Sequence, residues 1–249
     1  MKLNLLKELA LTDFKLRYKN SVLGYLWSLL KPLAIFGTLY FVYSIFIRFN
    51  EPYYPLFLLL GILLWTYFNE ATINGMYSFV SKATLITKMK IERRVIPLAS
   101  NITSLLTLIL NLVIFFVFLA IIKPHFSLTF FYLPLTIVEL FIISLGVSYG
   151  LAALFVKLRD LANIWDIVLQ MGFWITPIVY PISLVPAKYL PFIHANPMYR
   201  IIEEARLTLI YGQWPTWKGV FLTLLSSAFV FTVGYLIFSR RASSIAEDL

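Results

Sequence analysis

The chain has 249 residues, of which 60% are hydrophobic and only 13% are charged. A soluble domain is roughly 45–50% apolar, so this chain has too few polar side chains to cover a water-facing surface, and we expect it to lie in lipid. The formal net charge is +9, but the basic residues lie in short segments between apolar runs and predict no nucleic-acid partner. The absence of cysteine excludes disulfides and thiolate metal sites.

Six apolar stretches are each long enough to form a membrane-spanning helix, which needs about 20 residues. They are Leu23–Ile47, Tyr53–Phe79, Val95–Ile122, Leu128–Val156, Ile164–Leu184 and Gly219–Phe238. The pattern predicts an all-α membrane protein in which residues 23–240 form a transmembrane domain of six helices. An even number of spans places both termini on the same side of the membrane.

The distribution of Lys and Arg predicts which side this is. If the N-terminus is cytoplasmic, the cytoplasmic segments hold fourteen of the 21 basic residues and the opposite side holds six, while Lys31 lies within the first span. Cytoplasmic loops carry an excess of basic residues. We therefore expect a cytoplasmic N-terminus and a cytoplasmic tail over residues 241–249.

The N-terminal segment, residues 1–22, is predicted to be an amphipathic helix on the cytoplasmic membrane surface. Leu3, Leu6, Leu9 and Ala10 share one helical face, as in helices that lie in the interface. The stretch 13–19 alternates polar and apolar residues as a strand would. Because an unpaired strand beside a membrane is implausible, we expect a helix there as well.

Two connecting segments differ from simple loops. The cytoplasmic segment 81–94 is short and basic, and from the residues alone it fits a plain stop-transfer region or a functional contact equally well. The outer segment 186–217 is too long for a turn and too polar for a full span, and it contains Pro186, Pro191, Pro197 and Pro215. It either forms a cap outside the membrane or re-enters and lines a cavity, because irregular backbone at membrane depth must be buried in protein or face water.

The sequence shows no motif for catalysis. It contains no G-x-x-x-x-G-K-[ST] phosphate loop, no G-x-S-x-G elbow and no H-E-x-x-H helix, and His125 and His194 are distant in the chain and fit solvated loops. We expect no enzyme activity and no metal or cofactor bound by this chain. Glu70 and Glu139 lie inside predicted spans and Asp166 lies near an interface. Carboxyl groups there are costly and are candidates for function, although a hydrogen bond to a neighbouring helix explains each of them as well.

Aromatic residues make up 17% of the chain. Many fall at predicted interfaces, where Tyr and Trp are favoured. Others fall deeper and could stack on sugar rings while Tyr and Trp offer a hydrogen bond. These candidate channel-lining residues are Tyr40, Tyr43, Trp65, Tyr67, Phe68, Trp174 and Tyr180.

Three stretches in order along the chain carry a family resemblance. They are DFKLRYKNSVLGYLWSLLKP at 13–32, LITKMKIERRVIPLA at 85–99, and VKLRDLANIWDIVLQMGFWITPIVYPISLVP at 156–186, followed by Asn196-Pro197. Together they resemble the type-2 ABC transporter permeases that export bacterial cell-surface polysaccharides such as O-antigen, teichoic acid and capsule. The resemblance covers roughly residues 10–240, and Glu92 stands where the family usually has proline.

The resemblance implies a mechanism and partners. It implies a homodimer of six-span subunits in the bacterial inner membrane, with two separate cytoplasmic ATPase subunits that hold ATP and Mg and a lipid-linked polysaccharide as substrate. The first and fifth spans would form a lateral gate, and residues 186–217 would be outer gate helices that re-enter the membrane. The implied contacts to the ATPase are Leu85, Lys88, Lys90, Arg93 and Arg94. Lys15, Arg17 and Lys19 would meet the substrate's pyrophosphate where it enters, although attraction to anionic lipid explains these three cations equally well.

Three other functions remain as alternatives. A secondary transporter or channel acting alone would rely on Glu70 and Glu139. A membrane-embedded transferase would need clustered cytoplasmic carboxylates, whereas Asp160 and Glu92 are isolated. A type-2 ABC exporter of a drug or small lipid is the nearest alternative.

Overall fold

A computed structural model of the chain describes residues 2–17, 24, 26–47, 51, 53–88, 92–122 and 127–242. These described residues form ten α-helices and no β-strand. The helices are α1 (Lys2–Arg17), α2 (Leu26–Phe41), α3 (Tyr54–Ser81), α4 (Ala83–Lys88), α5 (Val95–Ile122), α6 (Leu133–Phe155), α7 (Leu161–Ile175), α8 (Leu190–Ala195), α9 (Pro197–Leu209) and α10 (Trp217–Arg241). A π-helical turn (Val42–Ile47) continues α2, and 3₁₀ turns lie at Leu128–Tyr132, Ile182–Leu184 and Ala187–Tyr189.

In the described part of the chain, five helical segments are long and apolar enough to cross a membrane: Leu26–Ser44, Tyr54–Ser81, Val95–Ile122, Leu128–Phe155 and Trp217–Arg241. These segments coincide closely with five of the six predicted spans, and the chain is a multi-pass, all-helical membrane protein. Pro55 and Pro134 lie in the first turns of α3 and α6. Proline is favourable there, because a backbone N–H at this position would have no partner within the helix.

The fifth predicted span differs from the prediction. We expected one continuous stretch over Ile164–Leu184, but α7 has 15 residues and ends at Ile175. Thr176 takes an extended backbone (φ −76°, ψ 129°), because a residue that precedes a proline, here Pro177, is disfavoured in the helical region. The residues after it form turns rather than helix.

Helix α3 is the centre of the bundle. It contacts α2, α5, α6, α7 and α9, and its residues from Leu56 to Trp65 are all buried. Polar side chains link it to its neighbours: Asn74 donates to Ser104 of α5 at 3.0 Å, and Trp165 of α7 donates to Thr72 at 3.1 Å. Lipid tails are as apolar as the helix surfaces, so the hydrophobic effect does not drive these helices together. Hydrogen bonds of this kind therefore contribute to their association.

The two ends of the bundle are distinct, and we call them the α4 end and the α9 end. At the α4 end, α1 packs along α5, with the Thr103 hydroxyl donating to the carbonyl of Ala10 at 3.1 Å. Residues 13–17 are helical as predicted, whereas 18–22 lie outside the described residues. At the α9 end, α9 packs against α3, α6 and α10.

Candidate functional site

A cleft opens between α2 and α7, with α3 as its floor. One cavity in this cleft reaches α7 and has a volume of about 290 Å³. A second cavity of about 340 Å³ continues it along α2 and α3, and Lys31, Asn69 and Glu70 line both. The remaining residues around the first cavity are Ile35, Ile62, Trp65, Thr66, Leu169, Gln170, Phe173 and Trp174.

Helix α7 is apolar but carries a polar stripe, of which Gln170 lines the cleft. Asn163, Asp166 and Gln170 are all exposed and follow helical spacing, and the Gln170 amide donates to the Asp166 carboxylate at 2.7 Å. In a membrane such a stripe must face protein or water rather than lipid tails. Leu169 is the one residue of α7 that is buried, so little packing holds this helix against the bundle.

The chemistry of the cleft suits a hydroxylated ligand. Trp174 is 53% exposed on the α7 wall, while Trp65 lies below it in contact with the ring of Phe173. Aromatic faces stack on apolar ring surfaces. The amides of Asn69 and Gln170 can each donate and accept hydrogen bonds beside those rings.

The structure places the seven predicted channel-lining aromatics in different surroundings. Trp65 and Trp174 line the cleft. Tyr67 and Phe68 are buried within the bundle. Tyr40 stacks on Phe36 and Tyr54, Tyr43 packs partly buried against the core, and the Tyr180 hydroxyl donates to the carbonyl of Trp174 at 3.0 Å. Their role in lining a channel stays a prediction.

The predicted ATPase-contact residues lie at the α4 end. Leu85 is half-buried within α4, of which Lys88 is the last residue, and Lys90 lies outside the described residues. Arg93 and Arg94 form a turn before α5. Glu92 accepts a hydrogen bond from Arg94, which raises the pKa of that guanidinium, and the Tyr149 hydroxyl donates to the Arg94 carbonyl at 3.0 Å.

The predicted basic residues of the N-terminal helix are only partly described. Lys15 is exposed on α1. Arg17 is the last residue of that helix, while its side chain and the whole of Lys19 lie outside the described residues. Their meeting with a substrate stays a prediction.

The α9 end is held by a buried arginine. Arg206 of α9 is 1% exposed, and its guanidinium donates to the carbonyls of Phe57, Pro177 and Ile178 at 2.8–3.3 Å. It also lies 3.3 Å from the centre of the Phe57 ring. Burial lowers the pKa of Arg206 to about 10, so the side chain stays charged at neutral pH.

A buried glutamate lies next to it on α9. Glu204 accepts hydrogen bonds from the hydroxyls of Tyr132 and Thr223, both at 2.6 Å. These bonds tie α9 to the start of α6 and to α10. Together with Arg206 they join α9 to α3, to α6, to α10 and to the turn after α7.

The two acidic residues predicted inside spans have different surroundings. Glu70 lines the cleft. Glu139 of α6 is fully buried, and neither carboxyl oxygen has a hydrogen-bond partner. Among the described residues no group of three His, Asp or Glu side chains could hold a metal ion.

The sequence of this chain is similar to those of known membrane transport proteins. The model of a family described as "ABC-2 type transporter" matches residues 4–210. The chain belongs to the ABC-2 type transporter family. The chain is therefore a transporter permease and is not itself an ATPase, as the missing phosphate loop predicts.

Several proteins resemble this ABC-2 permease over nearly their whole length. The O-antigen export system permease protein RfbA of Klebsiella pneumoniae is 30% identical over 238 residues, covering 95% of this chain and 92% of the relative. RfbA of Myxococcus xanthus is 26% identical over 250 residues, which cover 98% of this chain and 95% of the relative. The polysialic acid transport protein KpsM of Escherichia coli is 24% identical over 246 residues, which cover 95% of this chain and 93% of the relative.

The sequence pattern alone does not identify Arg206 and Glu204 of this permease as determinants of structure. They are polar residues of the segment 186–217, whose position relative to the membrane the sequence leaves open. A signal was present, because an arginine and two glutamates in a helix between two apolar stretches need buried partners if the helix packs on the bundle. The partners themselves, backbone carbonyls of α3 and of the turn after α7, follow from the fold alone.

Proposed function

We propose that this permease exports a lipid-linked cell-surface polysaccharide of the O-antigen class across the bacterial inner membrane. The relatives of near-equal length that carry the names of O-antigen and polysialic acid transport proteins support the substrate class. The observation that carries the proposal is the cleft between α2 and α7. It combines tryptophan faces, amides and a carboxyl group in one groove.

The cleft suggests how the substrate is handled. The rings of Trp65 and Trp174 stack on the apolar faces of sugars, while Asn69, Glu70 and Gln170 exchange hydrogen bonds with hydroxyl groups. Because the cleft lies between two helices, the lipid tail can stay in the bilayer while the sugars occupy the groove. Lys15, Arg17 and Lys19 attract the pyrophosphate to the cytoplasmic surface.

The energy comes from outside this chain. Two copies of the permease bind two cytoplasmic ATPase subunits, which hold ATP and Mg. The segment around α4, including Leu85, Lys88, Lys90, Arg93 and Arg94, docks on the ATPase and passes its motion to the bundle. The first and fifth spans, α2 and α7, then separate and admit the polymer.

The proposed topology has six crossings. At 1.5 Å per residue, α7 is about 22 Å long, which is less than the ~30 Å hydrocarbon core. The turns that follow Ile175 complete the fifth crossing, and α8 and α9 re-enter as outer gate helices. The excess of basic residues at the α4 end supports a cytoplasmic location for both termini.

An exporter of a drug or small lipid is the second candidate within the same family. The apolar rings of the cleft would suit such a ligand, whereas the polar stripe Asn163, Asp166 and Gln170 favours a hydroxylated one. Family membership argues against a secondary transporter acting alone.

A matched pair of tryptophan variants tests the proposal. Trp174→Ala removes a stacking face from the cleft, and Trp217→Ala removes a tryptophan that is 74% exposed at the start of α10. We expect Trp174→Ala to lower the polysaccharide on the cell surface roughly fivefold at equal permease level, since a ring contact is worth about 1 kcal/mol. Trp217→Ala should export normally.

The measurement is surface polysaccharide by gel and antibody, with membrane permease quantified in parallel. Equal export by both variants would remove the cleft from the transport path. Normal polysaccharide in cells that lack the permease would show that the substrate belongs to another class.

A further inference from the structure

We propose that Asp13 is a positioning residue for energy coupling, because it fastens the N-terminal helix α1 to Lys82, which directly precedes α4 in the proposed ATPase-contact segment 81–94. In this arrangement α1 and α4 move as one unit when the ATPase moves α4. The inference rests on the coupling role of α4 given above.

The link is an ion pair between distant parts of the chain. The Lys82 ammonium lies 2.5 Å from the Asp13 carboxylate. The two side chains are 12% and 26% exposed, so solvent screens their attraction only in part. Within the described residues the other ion pairs, Glu92–Arg94 and Glu203–Arg206, each lie inside one short segment.

Lys82 stands where α3 passes into α4. It follows Ser81, the last residue of α3, and its N–H donates back to the carbonyl of Phe79 at 3.2 Å. Its own carbonyl accepts from the N–H groups of Leu85 and Ile86, both at 3.0 Å. The first turn of α4 is therefore built on Lys82, and any tilt of α4 moves the residue that holds Asp13.

The space around the ion pair explains why this one contact matters. A cavity of about 240 Å³ separates this part of α1 from α3 and α5, and it is lined by Asp13, Asn74, Tyr77, Ser81, Lys82, Ser100 and Thr103. All of these residues have polar groups, so polar contacts hold the side of α1 that faces Lys82, while Ala10 is buried against α5. Besides the ion pair, the hydrogen bond from Thr103 to Ala10 holds the helix, and it lies on the α5 side rather than the α4 side.

Charge reversal tests the link in the complete transporter. Asp13→Lys, Lys82→Asp and the double exchange Asp13→Lys/Lys82→Asp are compared in complexes reconstituted with the ATPase partner. Glu8→Lys, a reversal at an exposed position of the same helix, is the matched control. Polymer exported per ATP hydrolysed is measured beside the amount of ATPase that copurifies.

We expect each single reversal to lower export per ATP about tenfold while the ATPase still copurifies and hydrolyses ATP, and we expect the double exchange to restore most of it. Glu8→Lys should behave like the natural chain. Normal coupling in both single variants, or no recovery in the double exchange, would overturn the proposal.

A second measurement does not depend on the stability of these variants. The chain has no cysteine, so Asp13→Cys/Lys82→Cys can be joined by a short flexible crosslinker without background reaction. The double cysteine variant lacks the ion pair, so before crosslinking its export per ATP should be lowered; if α1 and Lys82 move together, crosslinking restores it. Loss of export on crosslinking means that the two must separate during transport and overturns the proposal.

Failure of the underlying coupling role looks different. Arg93→Glu/Arg94→Glu reverses charge on the proposed ATPase contact without touching Asp13 or Lys82. If that variant exports normally with ATPase bound, the coupling role of the α4 segment is wrong, whatever the Asp13 variants show.

Discussion

At the scale of single residues, Arg206 shows how a charge can be tolerated deep inside this permease. Its guanidinium meets three backbone carbonyls and the face of Phe57, and Gly61 leaves the space it occupies, since a Cβ there would meet its terminal nitrogen at 2.7 Å. The carbonyls of Pro177 and Ile178 lie in the turn after α7, where no helical N–H is available to them. The arginine therefore satisfies groups that the end of α7 creates, and it also donates to the Phe57 carbonyl in the first turns of α3.

Replacing Arg206 should destabilise the permease strongly. Arg206→Ala leaves buried carbonyls without a donor and opens a cavity, so we expect a loss of about 3–5 kcal/mol, seen as a large drop in thermal unfolding temperature in detergent. Arg206→Lys should lose less, because an ammonium keeps the charge but cannot reach all three carbonyls. Arg200→Ala, on the same helix but half-buried, is the control, and equal losses at 200 and 206 would contradict this account.

Glu139 leads to the opposite expectation. Glutamine keeps its shape and carries no charge to be desolvated, so Glu139→Gln should leave stability unchanged or raise it and should leave export intact. Unfolding temperature and surface polysaccharide are the two measurements. Loss of export at a normal permease level would show that the carboxyl takes part in transport and would revive the secondary-transporter alternative.

The aromatic residues show what single-residue prediction can and cannot do. The high aromatic content predicts rings at the membrane interfaces or along a channel for sugars. Trp65 and Trp174 do line the cleft. Tyr67 and Phe68 come from the same apolar run as Trp65 but are buried. Along a helix buried on most sides, the sequence pattern does not show which ring faces a cavity.

At the scale of elements, α6 and α10 are joined through glycines. A Cβ added to Gly234 would overlap the backbone carbonyl of Gly146, and one added to Gly146 would overlap the backbone of Phe231. Such close approach of backbones is typical of small residues between membrane helices. This contact fixes α10, which has few buried residues of its own.

Enlarging this contact should separate the two helices. Gly234→Ala should cost about 1–3 kcal/mol, because the atom it meets is backbone and cannot rotate away. Gly37→Ala on α2 is the matched control, since a Cβ there meets nothing within 4 Å and alanine favours helix by about 1 kcal/mol. Thermal unfolding of the purified variants measures both, and a tolerated Gly234→Ala would show that α10 packs differently.

The end of α7 explains why the helix of the fifth span stops at Ile175 rather than at the predicted Leu184. Hydropathy continues past Ile175, so the run predicts a single span to Leu184. Pro177 and Pro181 lie within the third stretch that carries the family resemblance, but Thr176-Pro177 is also a stop signal for a helix in local geometry. Arg206 then stabilises the turn, which the run of apolar residues does not reveal.

At the scale of the whole molecule, the orientation in the membrane can be tested directly. Because the chain lacks cysteine, Thr84→Cys in α4 and Lys218→Cys at the start of α10 can be labelled one at a time in cells with a permeable outer envelope. We expect a membrane-impermeant maleimide to label position 218 and not position 84 until the inner membrane is opened. Labelling of position 84 in sealed cells would reverse the topology and exclude contact between α4 and a cytoplasmic ATPase.

Composition and the lengths of the apolar runs are sufficient to predict the membrane environment, the all-helical fold class and most of the helices. Apolar runs of about 20 residues can satisfy their backbone in lipid only as helices, so composition and length were sufficient for this. The family could also be identified from three short stretches, because their order and spacing are specific. These properties depend on residues close together in the chain.

Which residues lie together in one site is visible only in the tertiary structure. The cleft joins Lys31, Glu70 and Gln170 from three helices, and Asp13 meets Lys82 across 69 positions of sequence. Arg206 reaches Phe57 across 149 positions. Contacts of this kind depend on how helices rotate and cross, and that follows from side-chain packing over the whole bundle rather than from any local pattern.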